Sequence, residues 1–231
     1  MKKFFKLILI IIILFLIVYA GSVIRNVVIL TNLDNKVTEL NNTKNNIYKS
    51  ITYTGNPNMG ADLKIYKKDE VVKYVTSMKD GSVSITEYCY PDVKRIYTVT
   101  KDDKFFDEKN EKFDPVFPAS VDNYTNCINF YDLILSAIHT KIKNVEIDGK
   151  KCYELSGNNS PLFLYFGTSE EYISMALYLE KDTGIPVKQI EKLNIDGKNV
   201  EYITDFEYGF DVVTDEDMKE PDKSEYRLLE K

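Results

Sequence analysis

The chain opens on an uninterrupted apolar run. After Met1-Lys2-Lys3-Phe4-Phe5-Lys6, the segment Leu7 to Ile24 carries no charge. As an α-helix it would extend about 27 Å, close to the thickness of a bilayer's hydrocarbon core. With the Lys6 ammonium snorkelling outward, Phe4 and Phe5 supply the remainder. Apolar residues then recur at spacings of three and four, at Ile24, Val27, Val28, Leu33, Val37 and Leu40. This predicts an amphipathic helix over residues 25–46, either a stalk or a first helix laid on the domain that follows. The stretch Asn41-Asn42-Thr43-Lys44-Asn45-Asn46 ends it.

Beyond residue 46 the period changes from about 3.6 to 2. Residues 47–54, 61–68, 71–78, 82–90 and 94–101 are short, rich in Val, Ile, Thr and Tyr, and separated by Gly, Pro or Asp clusters. They predict an antiparallel meander. One helical segment interrupts it at about 121–140, where Tyr124, Ile128, Tyr131, Leu135 and Ile138 form a stripe that Cys127, Phe130, Ile134 and Ala137 widen. Such a helix needs the sheet to cover it. Strands resume at about 143–147, 151–156, 162–166, 172–180, 186–194 and 198–212, with turns at Asp148-Gly149, Lys181 to Gly184 and Asp196-Gly197.

In the last strand Val200, Tyr202, Phe206, Tyr208, Phe210 and Val212 share one face, and Glu201, Asp205, Glu207 and Asp211 the other. Thr214-Asp215-Glu216-Asp217 reads as a capped helix start that Pro221 limits to about two turns, and the charged tail 223–231 reads as surface. The expectation is an α+β domain: a membrane helix (1–24), an amphipathic helix (25–46), then a curved antiparallel sheet (47–222) covered by one long helix and the amphipathic one.

Charge divides along the same line. The net charge of the 231 residues is -6. The only charges among the first 25 residues are Lys2, Lys3, Lys6 and Arg25, so the remainder holds 26 basic against 36 acidic residues, about -10. An acidic domain excludes general nucleic-acid binding. Three lysines before the run against one arginine after it place the N-terminus inside and the bulk of the chain outside the cell membrane, as a single-pass protein held by residues 7–24. A cleaved secretory signal, with Val18-Tyr19-Ala20 before Gly21, is the rival reading. Apolar residues that continue through Val23, Ile24, Val27, Val28, Ile29 and Leu30 favour the anchor, and the absence of a cysteine at the cleavage point argues against lipidation.

Candidate chemistry is sparse. Cys89, Cys127 and Cys152 lack metal-ligand spacing and read as small buried hydrophobes, with a Cys89 to Cys152 disulfide as the alternative. His139, the single histidine, stands near a helix C-terminus without a G-x-S-x-G elbow, where it reads as a dipole-compensating surface residue. The acids Asp205, Glu207, Asp211, Asp215, Glu216, Asp217, Glu220 and Asp222 lack the calcium-loop pattern and read as a solvated face. No cofactor motif is present, and there is no Gly-rich phosphate loop.

Three stretches carry a family resemblance: Gly149-Lys150-Lys151-Cys152-Tyr153-Glu154-Leu155, Leu177-Tyr178-Leu179-Glu180-Lys181-Asp182-Thr183-Gly184-Ile185-Pro186-Val187-Lys188, and Tyr208-Gly209-Phe210 continuing to Asp217. With the order of elements, over about residues 35 to 222, the chain resembles the LolA-like superfamily of outer-membrane lipoprotein-sorting factors, to which mycobacterial lipoproteins and the periplasmic sensor RseB/MucB are related. The resemblance implies a half-open β-barrel with an apolar concave face under helices, where members bind acyl chains or lipidated partners. It carries over no individual residue. The anchor departs from the family's soluble carrier, since a tethered protein cannot shuttle across a periplasm, and richness in Lys, Asn and Ile without a lipobox suits a Gram-positive bacterium. The expected function is non-enzymatic binding of an apolar or lipidated ligand between sheet and helices, lined by Ile128, Tyr131, Leu135, Phe206 and Phe210. The alternatives are an envelope sensor or protein-interaction ectodomain without a lipid ligand, for which the 25–46 stripe is one surface available to a partner, and a hydrolase using a carboxylate pair.

Overall fold

A computed structural model describes residues 2–55, 60–112, 130–157 and 172–229. The apolar run and the amphipathic segment form one unbroken helix, α1 (Lys2–Thr43). Its large side chains up to Tyr19, and Ile24, are exposed, whereas from Asn26 onward one face is buried, with Leu30 at 0% and Leu33 and Val37 at 1% exposure. The stripe departs from the expected one in its first turns. Asn26, Ile29 and Leu30 are buried while Ile24 and Val28 are exposed. The reason is chemical: the Asn26 amide donates to the carbonyls of Ala137 at 2.9 Å and Thr140 at 3.0 Å, so a polar residue occupies a core position.

Strands β1 (Asn46–Thr54), β2 (Ala61–Lys68), β3 (Val71–Met78), β4 (Val83–Cys89), β5 (Lys94–Thr100) and β6 (Lys104–Lys109) precede a second helix, α2 (Phe130–His139). After it come β7 (Lys141–Ile147), β8 (Lys150–Ser156), β9 (Tyr172–Glu180), β10 (Pro186–Ile195), β11 (Lys198–Phe210) and the short β12 (Arg227–Leu228). All belong to one sheet in the order β12-β6-β5-β4-β3-β2-β1-β11-β10-β9-β8-β7. Two meanders meet where β1 pairs antiparallel with β11, Ile47 opposite Phe210. Among the described strands only β12 is parallel to its neighbour, β6. The sheet is curved and unclosed, with β7 and β12 at its edges. Asp148-Gly149 and Asp196-Gly197 hold left-handed φ values of 50° and 79°, and 51° and 75°, as two-residue hairpins of the I′ type require.

The two faces are covered by different means. On one face α1 and α2 lie over β7 to β10, where Leu30, Leu33, Ala137, Leu155, Met175, Leu177 and Leu179 form one buried cluster. Further along α1, Val37 and Leu40 meet Ile185, Tyr208 and Phe210. The fit is close at Gly184: a Cβ there would stand 2.7 Å from the Leu33 carbonyl oxygen.

On the opposite face, residues 211–229 form a strap across β1 to β6. The register aligns Tyr48, Tyr66, Lys73, Tyr88, Arg95 and Glu108 across six strands, and the strap follows that row. Lys73 donates to the Asp217 carbonyl at 2.5 Å, Tyr88 to that of Lys219 at 2.5 Å, and Tyr97 to the Glu220 carboxylate at 2.6 Å. Tyr90 bonds the same carboxylate, and Arg95 pairs with it at 2.6 Å. Burial works to raise the Glu220 pKa, but the bonds from Tyr90, Tyr97 and Arg95 outweigh it and hold the carboxyl below its usual range. The Tyr90 hydroxyl is pushed up to about 12, first by burial and then by Glu220.

Several expectations change. The described cover is not one long helix but two: α2 is described over Phe130–His139, residues 113–129 lie outside the described part, and the longer covering element is the second half of α1. Thr214 does cap a turn, its hydroxyl accepting from the Asp217 amide at 3.2 Å and its own amide donating back to Asp217 at 2.8 Å. No helix follows, because the lysines and tyrosines of the sheet draw the next residues flat. The described part of the 223–231 tail is largely exposed and yet structured, with a 3₁₀ turn at Lys223–Glu225 and β12 pairing to β6. Val212 leaves the apolar face, since Asp211 at φ 59° turns the chain after Phe210. Cys89 and Cys152 are free and buried, not bridged. The strand expected at 162–166 and Cys127 lie outside the described residues.

Candidate functional site

Among the described residues nothing covers the face opposite the helices over β8 to β11, and there it holds a hollow of about 520 Å³. The register explains it. Ser156 pairs with Ala176, and Ser174, two residues along, pairs with Lys192, so three small side chains and Gly157 form a floor among larger neighbours. Glu154 and Tyr178 bound one side, Ile190, Lys192 and Glu201 another, and His139 and Lys141 the edge. A register shift between Lys192 and Leu193 lies at its border, a common place for a bulge that redirects side chains. Gly157 is required here, because a Cβ would stand 2.3 Å from the His139 carbonyl oxygen.

The charges in the wall are unevenly compensated. Lys143 pairs with Glu154 at 3.5 Å and Lys192 with Glu201 at 3.3 Å. Lys141 has no ion pair among the described residues, and the hydroxyls of Ser156, Ser174 and Tyr178 have no hydrogen-bond partner among them. Burial, then the nearby charges of Glu154 and Glu201, raise the Tyr178 pKa, so this hydroxyl keeps its proton and can donate. The hollow therefore presents one uncompensated cation and three free hydroxyls.

Its position relative to α1 is fixed by hydrogen bonds. Arg25, the residue after the apolar run, donates to the Ile142 carbonyl at 3.4 Å, and Asn26 holds Ala137 and Thr140. His139 and Lys141 flank Thr140, so the edge of the hollow is one residue away from groups bonded to the helix end of the apolar run. A second, smaller cavity of about 260 Å³ lies under the strap between Tyr48, Tyr66, Val212, Val213 and Asp217. The Lys73 ammonium is 5.4 Å from the Tyr66 ring centroid on the same face and fills the position a ligand cation would take.

The residues expected to line an apolar cavity are dispersed. Ile128 lies outside the described residues. Tyr131 is exposed at 68%, Leu135 is half-buried on α2, and Phe206 and Phe210 are half-buried on β11, the latter packed around Val37 and Ile185. Among the described residues, Leu30, Leu33, Ala137, Leu155 and Leu177 pack together between the helices and the sheet. His139 ends α2, exposed as expected, but it also borders the hollow. Of the acids, Asp211, Asp215 and Glu220 pair with Lys44, Lys68 and Arg95, so the set fastens the strap and is not merely solvated. Among the described residues no group of three His, Cys, Asp or Glu converges on a metal-sized space. Glu191, raised by burial, bonds Gln189. The hollow was missed by sequence reasoning, although Ser174 and Ala176 alternate with Met175, Leu177 and Leu179, and that alternation signals a shallow outer face.

No family model matches this chain, and no curated protein matches it. Among solved structures it is similar to the Mycobacterium tuberculosis lipoprotein LppX, at 13% identity and a TM-score of 0.42, over 81% of this chain and 97% of that one. It is also similar to a conserved protein of Thermus thermophilus, at 10% identity and 0.37, over 86% and 98%. A third is the MucA/MucB complex of Pseudomonas aeruginosa, at 13% and 0.34, over 87% of this chain and 63% of that one.

Proposed function

We propose that this chain is a single-pass, membrane-anchored extracytoplasmic binding domain, not an enzyme, that engages a lipid or a lipidated protein at the membrane surface. One observation carries the reading: α1 passes without a break from an exposed apolar half into the domain's core. An anchor joined by a flexible linker lets a domain roam. Here no linker exists, so the domain is seated against the bilayer with the α2 to β7 corner lowest. Lys2, Lys3 and Lys6 against Arg25 set the domain outside. The sensor reading loses the 25–46 stripe as its partner surface, because the stripe is packed on the domain's own sheet, and keeps the rest of the domain for a partner.

The full chain expressed in membranes tests this. It should resist alkaline extraction, and protease added from outside should trim the domain while a fragment spanning residues 7–24 stays protected. Mass spectrometry of the chain purified in mild detergent should find retained lipid. Release by alkali, or a protected domain, would overturn the topology. A crosslinked protein partner with no lipid would favour the sensor.

A further inference from the structure

We infer that the hollow on the open face of β8 to β11 takes the phosphate-bearing head group of a membrane amphiphile, with Lys141 supplying the charge and Ser156, Ser174 and Tyr178 the hydrogen bonds. The inference rests on the proposed anchoring and deepens it. Four donors without partners among the described residues line one space. A phosphate group offers several strong acceptor oxygens, enough for all four, and so matches the set better than a neutral glycerol or amide would. The two carboxylates at the walls do not oppose an anion, because Lys143 and Lys192 each neutralise one. The volume, about 520 Å³, lies within the range of small-ligand sites, about 300–1,000 Å³.

Location decides between a lipid and a soluble phosphate ester. The domain's charge of about -10 opposes soluble anions approaching from a distance. A head group in the bilayer is instead delivered by the anchor, at high local concentration, to a site whose Lys141 neighbours the residue that Arg25 holds. The acyl chains need not enter the protein: Ile190 and Ala176 offer a short apolar wall, and the chains remain in the membrane.

The test uses the full chain in dodecyl maltoside micelles doped with phosphatidylglycerol or with diacylglycerol of the same acyl chains, read by native mass spectrometry. Wild type should retain one phosphatidylglycerol, about ten-fold over diacylglycerol, and Lys141→Glu or the space-filling Ala176→Trp should each lower retention about ten-fold. Lys101→Glu, with the same charge change at an exposed lysine in the β5–β6 turn at the other end of the sheet, should change it less than about two-fold. Unchanged thermal transitions establish that the variants are folded. Equal retention of diacylglycerol would overturn the head-group assignment. Retention that survives both Lys141→Glu and Ala176→Trp would overturn this site while leaving lipid binding by the domain standing. Displacement of the lipid by millimolar glycerol 3-phosphate would make the ligand a free phosphate ester and overturn the membrane source.

Discussion

The two halves of the sheet are closed by opposite chemistry. Over β7 to β10 the cover is helical and apolar, and its innermost residues, Leu30, Leu33, Leu155 and Leu177, are excluded from water. Over β1 to β6, the strap is held by ion pairs and by tyrosine hydroxyls, with an aromatic layer of Tyr88, Tyr97 and Phe106 beneath it. Hydrophobic burial is non-directional and does not depend on charge screening, whereas the strap's bonds depend on protonation and, at the rim, on ionic strength. One half should therefore behave as a fixed body on its anchor, and the other as a cover whose attachment responds to conditions.

The sharpest break in this comparison is Leu30→Ala. The side chain is fully buried between α1 and the sheet, so removing it should cost about 3–4 kcal/mol through lost transfer energy and the cavity left behind. Urea unfolding of the full chain in micelles at low and high salt measures it, and the loss should be the same in both. A salt-dependent loss would mean that the helical half also leans on charge.

Glu220→Gln comes next, at about 2–3 kcal/mol, because bonds from Tyr90, Tyr97 and Arg95 lose their charged acceptor. The damage should be confined to the strap. Amide exchange should rise at 211–229 and along β6, and the α1 core should stay protected. Arg95 keeps a second partner in Glu108 at 2.8 Å, which limits the effect.

The same carboxylate sets a pH dependence. Its folded pKa is depressed, so the stability it contributes is fully present above the unfolded value of about 4.3 and is lost as pH falls through the folded value. Exchange in the strap should accelerate on acidification before the helical half loosens, and Glu220→Gln should remove that difference. Simultaneous loss of both halves would show a single cooperative unit.

How much of this was legible follows from which partners are local. The strands from 61–68 to 186–194 follow from alternation and Asp-Gly turns, which are set within a few residues, and the observed β2, β3, β9 and β10 match within a residue. β6 escaped because Phe105 and Phe106 stand alone among charges, and β12 because two residues become a strand only beside β6. The strap escaped for a different reason. Glu220 lies 125 residues from Arg95, and Asp211 lies 167 from Lys44, so nothing near either acid marks it as paired. The hollow shows in sequence only as the small outer residues Ser174 and Ala176, and its shape follows from β8 and β9 placing small residues side by side among the larger ones of their neighbours.

The smallest expected effect lies at the strap's rim. Lys68 pairs with Asp215, whose side chain is 97% exposed, and Lys104 with Glu225 at 2.9 Å, also exposed. Each such pair exchanges solvation for a screened attraction and is worth at most about 1 kcal/mol. Lys68→Ala should therefore shift strap exchange by only a few-fold, and raising salt to about 1 M, where the screening length falls to about 3 Å, should erase the shift. Glu220→Gln should keep most of its effect at that salt, because Glu220 is bonded beneath the strap. If the two variants respond to salt alike, the strap is held by its surface charge as a whole, and the half-buried Glu220 carboxylate is only one contributor.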